Sequence, residues 1–356
     1  MSSYRLTNLV LPISVVVASA VGLLVLAGTN PWDPLQLIVE GSIGWPPFEA
    51  GKSAKVGDTV MVWVPIALAS AGLIVTFNAG MWNIGIEGQI IMGAIAAAFV
   101  AREVSAPRPL LVLLTILAGA VGGLLWGLLV GVLRTAGGVN EIFGGLGLDF
   151  VAISFTTYLI IDPWARTGVA STSGTDIFPD AALLPSSSGT RLSLLAIAIA
   201  LLAIGGVWIL FRGTLYGLKL KAVGANLRSS FLMGIPTNRY LLGAFMICGA
   251  LAGIGGTVQA TGFHFKLIPA ISGGYGFLAI LVVLLARYQA FWVIPISFFF
   301  AMIAVGSSQL DLRLDLNSAL GGVLQGVLVL SAMFGLGWAA YRTKRQLQEA
   351  SGGDSG

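Results

Sequence analysis

Charge, histidine and cysteine are all scarce in this chain. Of 356 residues only 10% are Asp, Glu, Lys or Arg, against about 25% in an ordinary soluble domain. A water-soluble fold of this size cannot solvate its surface with so few charges, so that class is excluded. The single cysteine, Cys248, rules out an intrachain disulfide. With one histidine, His264, a protein metal cage or a Ser-His-Asp triad is hard to assemble. No two carboxylates fall at helical spacing within an apolar segment, and Glu87, Glu141 and Asp149 stand isolated. Gly51-Lys52-Ser53 imitates the end of a phosphate-binding P-loop, but Pro46 stands where that pattern needs glycine. Nothing here supports catalysis or ATP binding through that motif.

What is present is apolar. Hydrophobic residues make up 56% of the chain and the mean hydropathy is +0.92. The expected fold is all-α: a polytopic membrane helix bundle of about ten transmembrane segments. The apolar runs fall at 9–28, 60–77, 84–101, 110–133, 141–161, 192–211, 241–260, 270–286, 290–308 and 318–340. The first is too long for the roughly 7–15-residue core of a signal peptide, so it reads as a retained span. Residues 1–345 are expected to form one membrane domain, and 346–356 a flexible cytoplasmic tail. Net charge +4 reads as basic cytoplasmic loops rather than nucleic-acid binding. With both termini cytoplasmic, eleven of the 19 basic residues fall inside, five of them in the loop 212–240. The outer loops are then 29–59 and 162–191.

Glycine is abundant, at 48 residues. Gly119, Gly123, Gly127 and Gly131 form a small-xxx-small stripe, as do Gly249 and Gly253, and both read as helix-packing faces. Asn140-Glu-Ile-Phe-Gly-Gly145 is echoed by Asn317-Ser-Ala-Leu-Gly-Gly322, a weak sign of two related halves.

Two stretches break the apolar pattern. In the first, Asn78, Asn83, Glu87 and Gln89 fall among glycines between two apolar runs. Polar residues at such a place line a cavity or pack against protein, so a broken helix near 77–93 is expected. Glu87 has two readings: a polar anchor for a neutral solute, or a structural acid that satisfies backbone amides at a helix N-terminus. The second stretch is the loop 212–240. Its centre, 222–233, reads as one short helix with Val223, Leu227, Phe231 and Leu232 exposed, rimmed by Lys221 and Arg228 and stopped soon after by Pro236. Such a helix suits insertion into a groove on a soluble partner.

These stretches resemble a family. Asn-Ile-Gly-Ile-Glu-Gly-Gln at 83–89 is similar to the signature of permease subunits of ABC-type importers, in the branch that handles nucleosides and purines. Gly-Leu-Lys-Leu-Lys-Ala-Val-Gly-Ala-Asn-Leu-Arg at 217–228, followed by Gly234-Ile235, resembles that family's ATPase-docking loop. Residues 273–287 resemble its late Gly-x-Gly-Phe segment. Leu227 departs from the family pattern, where proline is usual, and Ser229-Ser230 replaces small apolar residues.

The resemblance implies a transport subunit rather than an enzyme, in a bacterial inner membrane. No cofactor is expected on this chain, with ATP and Mg on a partner ATPase, as a fused double-ATPase chain. The other implied partners are a second permease chain, an extracytoplasmic solute-binding protein and the lipid bilayer. Candidate path residues are Phe77, Asn78, Trp82, Asn83, Glu87, Gln89, Tyr275 and Phe277; candidate docking residues are Lys221, Val223, Gly224, Asn226, Arg228, Phe231 and Gly234. A simple sugar or amino acid is the alternative cargo. A secondary transporter or channel without an ATPase is the alternative mechanism.

Overall fold

The computed structural model describes residues 32–44, 53–166, 172–187 and 189–307, with isolated positions at 22, 168 and between 322 and 338. All but isolated positions of the first and tenth expected segments, the Asn317 repeat partner and the 346–356 tail lie outside the described residues. The chain divides into two units, residues 1–49 with 302–356, and residues 50–301.

In the first unit the expected outer loop 29–59 contains a helix, α1 (Trp32–Ile43). Gly306 packs there directly on backbone, since a Cβ on it would lie 2.8 Å from the Ile38 Cα.

The second unit holds α2 (Ser53–Asn78), α3 (Ile86–Glu103), α4 (Arg108–Thr135), α5 (Glu141–Ile161), α6 (Leu194–Gly213), α7 (Leu215–Ala225), α8 (Leu227–Leu232), α9 (Thr237–Val258), α10 (Tyr275–Leu285) and most of α11 (Ala290–Gly306). No strand occurs among the described residues. Helix α2 is the core: 89% of its apolar window is buried, against 22–33% in α4, α5 and α6, whose outward faces are apolar. An apolar exterior around a packed centre is what a lipid-embedded bundle requires.

Helix α9 packs against α4, α3 and α2. The two glycine stripes meet each other. A Cβ on Gly123 would lie 2.7 Å from the Gly253 Cα, and one on Gly249 would strike the Gly123 carbonyl. Backbones this close leave no room for any side chain, and dispersion between them replaces the hydrophobic drive that lipid does not supply. Helix α9 continues into a π turn at Gln259–Phe263, closed by His264 N–H donating to the Gln259 carbonyl at 2.9 Å.

The eighth expected span, 270–286, is corrected. Gly273 and Gly274 adopt left-handed φ of 58° and 75°, which ends any helix, so α10 begins only at Tyr275. Its 11 residues rise about 16 Å, about half of an apolar bilayer core of roughly 30 Å.

Candidate functional site

The site starts where α2 stops. The chain turns at Gly80, with φ 74°, and runs through residues 79–85 without helix before α3 begins. The Asn83 and Gln89 side-chain amides clasp one another, each donating to the other's oxygen at 3.0 Å. The Asn83 amide also meets the Cys248 Sγ at 3.1 Å. Cys248 is halfway along α9, and Gly72, six residues before the end of α2, packs against it. Asn83 therefore lies about 9 Å back into the bundle from the end of α2. Residues 79–85 thus join two separate helices, and the polar stretch lies at the level of Cys248, inside the bundle rather than at the end of α2.

At that depth two helix N-termini are capped by carboxylates from other elements. Glu87 Oε1 accepts the Gly276 N–H at 2.9 Å and the Phe277 N–H at 3.1 Å, at the start of α10. Asp149 Oδ1, from α5, accepts the Gly88 N–H at 2.7 Å, at the start of α3. The first amides of a helix have no partner within it, and the helix dipole favours negative charge there. Both carboxyl groups are buried, at 3% exposure. Gly88 and Gly276 permit the approach: a Cβ on either would lie 2.8–3.0 Å from atoms of Asp149 or Glu87.

The start of α10 is also where the layer opens. Gly273 and Phe277 are exposed, and the Tyr275 ring lies over Gly273. The eight expected path residues thus fall in three places. Glu87, Tyr275 and Phe277 meet at the α10 N-terminus. Asn83 and Gln89 are fully buried and satisfy one another. Phe77 packs on Trp82 at 5.0 Å and on Tyr288 at 5.9 Å, beside Asn78, whose amide donates to the Ile74 carbonyl at 2.8 Å.

The docking stretch is two helices rather than one. Asn226 is extended, with φ −158°, and its side chain accepts the Ser229 N–H at 2.9 Å, so it ends α7 and caps α8. Val223, expected on the exposed face, is buried. Leu227, Phe231, Leu232 and Met233 are exposed, with Lys221 and Arg228 beside them and Gly234 turning at φ 79°. Gly224 packs on the other side: a Cβ on it would strike the Asn78 carbonyl, and one on Gly80 would lie 3.1 Å from the Gly224 carbonyl. Helix α7 therefore bears directly on the turn that joins α2 to the polar stretch.

Asp149, Cys248 and Tyr288 join these clusters without having been singled out for a site. Asp149 carries the one usable signal, an acid inside an apolar run. Its partner lies 61 positions away, which no local spacing reveals.

A bundle with an apolar exterior, a non-helical stretch inside it, a half-length helix and a polar layer between them has the build of a membrane transport protein. The chain belongs to the family described as branched-chain amino acid transport system / permease component, whose model matches residues 56–333. It is 32% identical to a glucose ABC transporter permease protein of Haloferax volcanii, over 75% of this chain and 73% of that one. It is 25% identical to a guanosine ABC transporter permease protein of Bacillus subtilis, over 92% and 93%. It is 28% identical to a nucleoside ABC transporter permease protein of Lactococcus lactis subsp. cremoris, over 72% and 73%.

Proposed function

We propose that this chain is one permease of an ATP-driven importer that moves nucleosides or nucleobases inward by alternating access. One observation carries the reading: the 83–89 stretch, whose sequence resembles the nucleoside branch, supplies the buried polar groups that meet between the helices. The relatives named for guanosine and nucleosides support it. The side bearing α7 and α8 is cytoplasmic, as are both termini, and an ATPase dimer grips Phe231, Leu232 and Met233. ATP and Mg sit on that partner, a fused double ATPase. A second permease chain closes the path against Phe277, and an extracytoplasmic binding protein delivers the solute. ATP-driven movement of α7, with α8 attached, displaces the Asn78–Gly80 turn and with it the polar stretch 83–89. Differential affinity for the solute in the two states gives direction.

The test is uptake into vesicles holding the purified complex, with labelled guanosine, uridine and glucose and ATP inside or absent. ATP-dependent nucleoside uptake is expected. A second reading, a simple sugar as cargo, is favoured by the 32% identity to the glucose permease, and uptake of glucose alone would establish it. Uptake without ATP would overturn both.

A further inference from the structure

A cavity of about 310 Å³ opens beside the docking helices, between the ends of α2 and α6, α7 and the start of α11. Its polar lining is Asn78, Arg212, Lys221, Tyr288 and Gln289, and no Asp or Glu lines it. The remaining wall is aliphatic and aromatic. The two cations are held on aromatic rings rather than on carboxylates. The Arg212 guanidinium lies 5.2 Å over the Trp208 ring. Lys221 Nζ lies 5.3 Å from the Phe211 ring and donates to the Phe211 carbonyl at 3.3 Å. Cation–π contact fixes each charge without neutralising it. The volume is that of a small-molecule site, about 300 Å³ being the lower end of the usual range. A dicationic rim over an apolar and aromatic wall suits an anion carried on an apolar or planar body, and a phosphate, with oxygens enough for both cations, suits it best.

We propose that this pocket binds a phosphate group of that kind, on the face that also carries α7 and α8. Trp208 and Ile209 are exposed on the outer face of α6, so the mouth adjoins the lipid-facing surface as well as the loop side. Two sources present this chemistry there, an anionic phospholipid headgroup and a soluble phosphomonoester.

The experiment is binding to the full chain in neutral detergent, by native mass spectrometry and by thermal shift. The probes are phosphatidylglycerol, phosphatidylcholine, uridine monophosphate and inorganic phosphate. Phosphatidylglycerol or uridine monophosphate is expected to bind, whichever does so naming the source. The double variant R212Q/K221Q should bind it about 30-fold more weakly, from about a tenfold or lesser loss per basic residue. Both side chains are exposed, so their replacement leaves no buried gap. R212K/K221R, which keeps both charges, should bind within a few-fold of the parent, and Arg239→Gln, outside the lining, should bind as the parent does. Equal binding by the parent and R212Q/K221Q, or no binding of either probe by the parent, overturns the proposal. The readout needs no cargo and no ATPase, so its failure leaves the transport reading untouched, and the reverse.

Discussion

Glu87 and Gly276 are 189 positions apart in the chain, yet the carboxylate of one accepts the amide of the other at 2.9 Å. The same Glu87 oxygen takes the Phe277 amide, so a single side chain completes the N-terminus of a helix it does not belong to.

Glu87→Ala should therefore cost stability before it costs cargo recognition. Each buried amide left without a partner costs about 1–3 kcal/mol, so a large fall in melting temperature is expected. Glu87→Gln keeps an accepting oxygen at the same place, so its stability should stay within about 1 kcal/mol of the parent. Melting of both variants in detergent, alongside uptake, separates the roles. If Glu87→Gln folds well and still loses uptake, the carboxylate also serves the solute; if it transports normally, the cap is its whole task.

Gly224→Ala should stop transport while the protein is made and inserted normally. Its Cβ would sit 2.9 Å from the Ala79 carbonyl carbon and closer still to the Asn78 oxygen, forcing α7 off the end of α2. ATP-driven uptake is expected to fall at least tenfold, a loss of about 1.4 kcal/mol in the coupled step. Gly213→Ala, whose Cβ meets nothing nearer than 3.7 Å, is the matching control and should transport normally.

Gly253→Val should break the α4–α9 packing. Its Cβ would strike the Gly119 carbonyl, and separating two packed helices costs about 3 kcal/mol or more. Gly205→Val, with open space around it, should melt as the parent does. Comparable melting of the two variants would show that the glycine stripes do not hold the bundle together.

His264 lies beyond the π turn, edge-on to Phe263 at 4.9 Å. Burial, then the charges of Arg191 and Lys266, hold its imidazole down from 6.5 to about 4. A lowered value means that the unfolded chain binds the proton first. The stability that depends on neutral His264 is thus intact above about pH 6.5 and is lost as pH falls toward 4. Melting between pH 7 and 4.5 should fall more steeply for the parent than for His264→Gln. Parallel curves would remove the histidine from the pH response.

The sequence patterns that survive into the structure are those carried by neighbours in the chain. Apolar runs located seven of the spans, six of them within four residues, because a helix in lipid must satisfy its own backbone and so declares its length locally; α2 begins seven residues before its apolar run. The two glycine stripes also announced their role, since four-residue spacing puts small residues on one face. Reading failed where a single residue overrides a pattern. Asn226 divides 222–233 by accepting the Ser229 N–H and so capping α8, and the glycines that interrupt the start of the eighth run, Gly273 and Gly274, delay its helix to Tyr275. For the site, the polar break at 78–89 was visible, but not which groups would meet there. Asn83 and Gln89 look available in sequence and are in fact committed to each other. Glu87 finds its partners near residue 276, and Asp149 finds Gly88, across separations that only the folded chain closes.

The contact between Gly80 and Gly224 has a mechanical meaning. Side chains have rotamers and can yield, so a joint made of them has play. Here two main chains touch with nothing between them. Such a joint is stiff: neither segment can move toward the other unless a backbone itself shifts.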